Sequence, residues 1–546
     1  MRRLIVCCDG TWNTPEDETV TNVRRIANAL GELDEDDNVQ VTYYQAGVGT
    51  EGRLLTRLLG GSTGIGLSRN VLDGYHWLAT RFEPGDRIAL FGFSRGAYTA
   101  RSLAGMISAC GLIETAGLDE ITVWQRIQRI YDHRYRRRDP GSRWREGLDF
   151  AFDPERPEEI PIDFIGVWDT VGALGIPEYL GWLNTLDPLH RHDFHDVILN
   201  PHIRCGRHAV AMDEMRSPYT PTLWSEPYAP GQDVKQIWFP GSHKDVGGGH
   251  LRMGLSDGAL LWMIEEARDA ARLGFNPATV AQTGADPLDV LHDDDLVGGV
   301  LQPLIEPTIG PWLEIFLHPQ PRAVPKIDPE RPDPSVHTSV YQRHRAPPIT
   351  SGNYRSTHVL ASGESATVDV FAHRPWNETG LYLDPGDYVF AADGEWRAGS
   401  ISSGPSGTTG LDRFNPLTER TRLVGTLVGE AEAVFRRLTG NPAADFLGSP
   451  READVPWMSL VGVVANDAST VNGAHHAHER IAIGANTQHR VVKGGYLYAF
   501  ANDAWGRYLS NQGSVRLMVT RVPASGTARR GRRAVSAGAG RNRRPA

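Results

Sequence analysis

A chain of 546 residues with 40% hydrophobic and 22% charged residues holds enough apolar material for roughly two or three packed domains. Its formal net charge of −10 argues against nucleic acid as a specific partner. No run of about 18 apolar residues occurs, so no transmembrane helix is expected.

The opening MRRLIVCCDGTWN sets a short apolar run behind two arginines and has no small-residue cleavage site. It reads as a first buried strand and not as a leader. Cys7, Cys8, Cys110 and Cys205 show neither CxxC pairing nor metal-ligand spacing. They read as reduced core thiols, which suits a chain cytoplasmic as synthesised. Apolar runs bounded by turn residues recur at LIVCCD (4–9), VQVTYYQ (39–45), RIALFGF (87–93), PIDFIGVWD (161–169) and KQIWFPG (235–241). Between them VTNVRRIANAL, GLSRNVLDGYHWLATRF and AYTARSLAGMISACG carry apolar residues at helical spacing, and LSDGALLWMIEEARDA (255–270) follows. Continuous apolar strands alternating with helices predict a mainly parallel sheet covered on both faces. This first domain spans 1–320. Proline crowds HPQPRAVPKIDPERPDPS, so 321–354 reads as an extended linker. From 355 to 522 the pattern is period-two and glycine-punctuated, which predicts an antiparallel β-sandwich. The Arg-rich residues 523–546 read as a disordered tail.

FGFSRGAYTA (91–100) fits G-x-S-x-G between a strand and a helix. In that setting the serine sits on a sharp, strained turn. Gly92 and Gly96 flank it because a Cβ at either place would crowd the neighbouring strand or helix. The turn lifts the Ser94 hydroxyl to the carboxyl end of the sheet, beside the unpaired N–H groups of a helix start. The Arg95 N–H is then placed to hold an oxyanion. A hydroxyl needs a base to take its proton. FIGVWDTVGALG puts Asp169 at the end of the next strand, and IWFPGSHKDVGGGH puts His243 just past the one after. Parallel strands bring such ends to one edge of the sheet. Asp245 is a rival acid, with a local turn as its expected job. In CCDGTWN, Gly10 and Thr11 are candidates for the second oxyanion N–H, and Asp9 for bracing that loop. A plain strand-ending turn is the alternative there.

Together LIVCCDGTWN, GFSRGAYTAR, FIGVWDTVGALG and WFPGSHKDVGGG resemble a large family of α/β-hydrolase-like domains that includes the type VI secretion phospholipase effectors. The resemblance implies Ser94 as nucleophile, Asp169 as orienting acid and His243 as general base. It implies lipid or other esters as substrates and no required cofactor. It also leaves room for peripheral membrane contact and for non-classical secretion. The insertions around TVWQRIQRIYDHRYRRR and PEYLGWLNTLDPLHRHDF would cover such a site.

Farther on, GLYLDPGDYVFAADGEW, GPSGT and FANDAWGRYLSNQGSVRLMV are similar to the jelly-roll sandwich of the PA-I galactophilic lectins. That resemblance implies a glycan or surface ligand, with calcium held by Asp503 and Asn511. Ser510 and Arg507 stand where an asparagine and a threonine would be. Calcium takes about six to eight oxygens.

Two other classes compete with the ester hydrolase. A phosphatase built on CCDGT would need an aspartate where Cys7 stands, which leaves only a metal cluster of Asp9, Asp169, Asp245 and His243. A binding protein on an inactive hydrolase scaffold would favour loss of Ser94, Asp169 or His243, and all three are present.

Overall fold

The computed structural model describes residues 1–10, 19–47, 63–136, 143–171, 198–216, 219–292, 319–346, 353–408 and 450–523, the last without 453, 468–469, 472–473 and 476. Six strands, β1 (Arg3–Cys8), β2 (Gln40–Gln45), β3 (Arg87–Phe93), β4 (Ile162–Trp168), β5 (Cys205–Ala211) and β6 (Asp233–Phe239), form one sheet in the order β2-β1-β3-β4-β5-β6. Every pairing in it is parallel.

β1 shows why these strands are continuously apolar. Leu4, Val6 and Cys8 face one core, with Tyr75 of α2 (Thr63–Ala79), Leu103 and Ile107 of α3 (Arg95–Cys110) and Ile127 of α4 (Glu120–Ile130). Ile5 and Cys7 face the opposite core, with Val23 and Ile26 of α1 (Asn22–Ala29) and Leu260 and Ile264 of α6 (Gly254–Ala271). A strand covered on both faces has no polar side to show in its sequence. The short helix α5 (His243–Gly247) lies between β6 and α6.

β5 departs from the sequence reading, which has no strand between β4 and β6. Its sequence CGRHAVA is broken by Arg207 and His208, and both are buried. Arg207 keeps its charge inside because Asp233 and Glu266 accept from it. A buried arginine, paired with acids nearer the surface, thus hides an interior strand from a hydropathy pattern.

Residues 319–337 are extended, but they are no free linker. Val324, Ile327 and Val336 are buried with Val210, Met212 and Trp238 of the first domain and with Tyr496 and Tyr498 of the C-terminal region. Proline removes ladder donors without removing apolar side chains, so a segment can pack without joining a sheet. The segment leads into α7 (Thr338–Arg345), inside the stretch expected to be linker.

The C-terminal region contains two five-stranded antiparallel sheets. One orders Asn377–Leu383, Gly495–Ala501, Trp457–Ala465 and Ser406–Thr408, with Glu479–Ala482 also on the third strand. The other orders Ile401–Ser403, Gly386–Ala398, Asn511–Arg521 and Ser365–Phe371, with Asn486–Val491 also on the second. Trp396, Phe390 and Leu517 of the second sheet share a core with Leu460, Val464 and Leu497 of the first. We call this part the β module.

The chain packs tightly where α3 leaves β3. A Cβ on Gly96 would lie 2.1 Å from the Cys8 carbonyl oxygen, and one on Gly92 would lie 2.5 Å from the Gly96 oxygen. Gly96→Ala should therefore force α3 off β1 and cost about 1–3 kcal/mol or more. Urea denaturation checks this, and an unchanged midpoint would contradict the packing described.

Candidate active site

Ser94 sits at φ 57°, ψ −123°, a backbone conformation that side-chain-bearing residues rarely adopt. Its hydroxyl makes no cap bond to α3, so holding that helix is not its job. Its N–H donates to the Trp168 carbonyl at 3.1 Å, which ties the serine to the residue before Asp169. Arg95 begins α3, where first-turn N–H groups have no intrahelical acceptor. Burial pushes the Arg95 guanidinium down, against the opposing influence of Tyr219.

Asp169 is fully buried, at φ 36°. Its Oδ2 lies 2.6 Å from His243 Nδ1, and its Oδ1 accepts from the Ala211 N–H at 2.9 Å. Arg322 closes on the same carboxylate, Nη1 to Oδ1 at 2.7 Å and Nη2 to Oδ2 at 2.9 Å. Burial alone would raise the Asp169 carboxyl. The Arg322 charge and the bonds from His243 and Arg322 outweigh it and hold the group well below the usual carboxylate range.

His243 opens α5. Its ring packs 4.6 Å from Phe93 and 4.8 Å, edge-on, from Tyr219, and its N–H donates to Glu214 Oε2. Burial pushes the imidazole pKa down, while Asp169 and Glu214 oppose that. α5 reaches this position because Gly247 has no side chain. A Cβ there would overlap the Phe93 ring at 1.9 Å.

The structure thus brings Asp169 and His243 into contact and holds Ser94 through its N–H beside the strand that ends in Asp169. The remaining expected residues divide. Asp245 caps α5 with Ser242 and binds His292 Nδ1 at 2.6 Å, so it braces the histidine loop. Asp9 accepts from Thr21 and Tyr44, each at 2.6 Å, and braces the first loop. The Gly10 N–H donates to Asp9 Oδ1. That engages one of the donors expected for an oxyanion with the neighbouring acid. Thr11 and the aromatic segment 177–194 lie outside the described residues.

Of the four proposed metal ligands, only Asp169 and His243 are hydrogen-bonded to each other. Asp245, His250 and His292 bring ligand atoms within 4.8 Å of one another. The two imidazoles there stack at 3.9 Å with 15° between planes, so one ion could not lie in the plane of both rings. In the β module Asp503 Oδ2 accepts from Asn511 Nδ2 at 2.9 Å, and Asp503 Oδ1 accepts from the Ala504 N–H. The Ser510 hydroxyl donates back to the Arg507 carbonyl. Asn511 Oδ1 is buried without a hydrogen-bond partner among the described residues, and Asp503 with Asn511 offers fewer oxygens than the six to eight that calcium takes.

Sequence reasoning missed Arg322, Glu214 and His208. His208 Nε2 accepts the N–H of Thr170, the residue after the acid, at 3.0 Å. A long spacing and a proline-rich setting hid Arg322, and no local motif marks the other two.

Residues 2–266 match the family model described as T6SS, Phospholipase effector Tle1-like, catalytic domain. The four motifs in order therefore resemble a family of phospholipase effectors, hence of lipid hydrolases. The chain is 32% identical over 253 residues to "Uncharacterized protein YEL023C" of Saccharomyces cerevisiae, covering 42% of this chain. It spans about a third of that curated relative, 35% of its length. Among solved structures, an uncharacterized protein from Pseudomonas aeruginosa shares 18% identity at TM-score 0.30, over 52% of this chain and 49% of that one. "EclA N-terminal domain; PllA-like lectin" shares 17% identity at TM-score 0.17, over 28% of this chain and 94% of that one.

Burial, helped by the Arg101 charge, pushes His208 down to about 3. An unfolded imidazole titrates near 6.5. Between those values the unfolded chain binds a proton that the folded one refuses, so stability present at neutral pH is lost as pH falls. His208→Gln should lose less of its urea midpoint than wild type between about pH 7 and pH 5. Equal losses would rule out this burden.

Proposed function

We propose that the first domain is an α/β-hydrolase-like serine esterase, cleaving lipid or phospholipid esters through Ser94, His243 and Asp169. The observation that carries the reading is the buried 2.6 Å Asp169–His243 pair beside the strained Ser94, in a region matching phospholipase effectors. In this mechanism Ser94 Oγ attacks the ester carbonyl carbon and His243 Nε2 takes the hydroxyl proton. Nε2 is the nitrogen left for that task because Nδ1 faces Asp169. The Asp169 carboxylate keeps the imidazole in that tautomer and stabilises the imidazolium that forms. The Arg95 N–H, with Thr11 as second donor, holds the developing oxyanion. The tetrahedral centre collapses, the C–O bond to the leaving alcohol breaks, and His243 returns its proton to that alcohol. Water then attacks the acyl-Ser94 ester with His243 again as base, releasing the acid. The β module, read as a lectin-like sandwich, would bind a glycan or other surface ligand.

Wild type should label with a fluorophosphonate probe and turn over mixed phospholipids or short acyl esters. Ser94→Ala and His243→Ala should each lower kcat by about 10³-fold or more. A wild type inert to both assays would overturn the hydrolase reading.

The depressed His243 imidazole sets the pH dependence. The base must be neutral, so kcat/KM should rise with pH through a midpoint below the usual value of about 6.5. A pH–rate profile with its midpoint above about 7 would contradict this assignment of the base.

A further inference from the structure

The acid of the pair carries a second charged partner that comes from outside the matched region. Arg322 is buried and spans both oxygens of Asp169. It also donates to the Ala211 carbonyl at 2.6 Å and to the Tyr219 carbonyl. Residues 319–337 form no helix and meet the first domain's backbone only at isolated bridges, Arg216 with Pro319 and Trp238 with Val336, and through the Gln320 N–H, which donates to the Met215 carbonyl at 2.5 Å. Side chains farther along the chain add to these. Trp376 Nε1 donates to the Pro319 carbonyl at 2.7 Å, and His478 Nε2 lies 2.7 Å from the Pro321 carbonyl. The Ile327 N–H donates to the Tyr496 hydroxyl at 3.0 Å. All three anchors belong to the β module, and two of them bracket Arg322 in sequence.

A second tie reaches the histidine loop. Asp213 Oδ2 accepts the Gly241 N–H at 2.7 Å, two residues before His243. Arg355 Nη2 donates to Asp213 Oδ1 at 2.6 Å, and the Tyr354 hydroxyl donates to Oδ2. Both loops of the pair are therefore held by residues that follow the first domain in sequence.

We propose that the β module is a working part of the active centre, and that Arg322, which it holds against Asp169, is a positioning residue for the Asp169–His243 pair. This rests on the serine hydrolase reading above. A buried carboxylate raises the proton affinity of the imidazole beside it. Arg322 supplies a compensating charge in a fixed, bidentate form, which adds to burial in keeping His243 neutral at rest. The other groups around His243 are Glu214 and Arg216, which pair with each other at 2.6 Å, Tyr219, the neighbouring Arg95, and Lys244 and Asp245 on its own helix. None of these bonds the far side of Asp169.

The test uses the full chain and fluorophosphonate labelling rates across pH. Arg322→Gln should slow labelling at neutral pH at least 10-fold and move the acidic limb upward by about one unit, with partial recovery at alkaline pH. Arg322→Lys keeps the charge and loses the fork. It should keep the limb near wild type and slow labelling. Trp376→Phe removes the N–H that anchors Pro319, keeps a ring in the recess, and should move the limb in the same direction by less. A merely structural role would lower the amount of folded protein without moving the limb. Arg322→Gln with the wild-type limb would overturn the proposal. If that variant does not fold, a Trp376→Phe limb and rate equal to wild type would do so. Failure of wild type to label at all would instead sink the hydrolase reading.

Discussion

A carboxylate with no solvent contact at the end of β4 is the constraint on which the rest of this site depends. Taking such a charge out of water costs several kcal/mol unless it is paired and hydrogen-bonded. Asp169 meets that requirement with an imidazole, an amide N–H and both arms of a guanidinium. Each partner comes from a different place: His243 from beyond β6, Ala211 from the end of β5, Arg322 from the extended segment. Satisfying one charge thereby fixes three loops relative to each other.

The serine is held by a different force. Steric exclusion decides where α3 starts, because only glycine at 92 and 96 lets it run so close to β3 and β1. The strain at Ser94 is offset by the packed sheet and by the bond from its N–H to Trp168. The resulting turn is packed on both sides, and under the proposed function that presents the Ser94 hydroxyl in a fixed place. Electrostatics thus places the acid and the base, and packing places the serine.

The β module contributes rigidity at a distance. Arg451 fills an aromatic recess, 3.4 Å from the Phe500 ring centroid, 3.9 Å from Trp505 and 4.2 Å from Trp376. A cation seated among three rings is a stable arrangement and leaves little freedom to Trp376. Trp376 is the same side chain that bonds the Pro319 carbonyl. The module's own core and the strap that carries Arg322 are therefore coupled through one indole.

Much of this was legible in the chain itself. Five of the six parallel strands, the two glycines around Ser94, and Asp169 and His243 follow from local rules: apolar runs, strand-to-helix punctuation and polar residues at strand ends. Those rules are local because strand covering and turn sterics involve near neighbours. β5 escaped them because Arg207 and His208 lie inside it, made tolerable only by partners on other elements. The role of Arg322 escaped for a related reason. Its meaning is a contact across 153 positions of sequence, in a stretch whose prolines signal only that no helix or ladder forms. The engagement of the Gly10 N–H by Asp9, and the closed Asp503–Asn511 pair, were likewise decided by folded geometry. The sequence by itself determined which side chains are candidates for the chemistry and roughly where the chain turns to present them. Only the tertiary structure decided how their charges are balanced, because a buried charge is balanced by whatever the fold brings beside it.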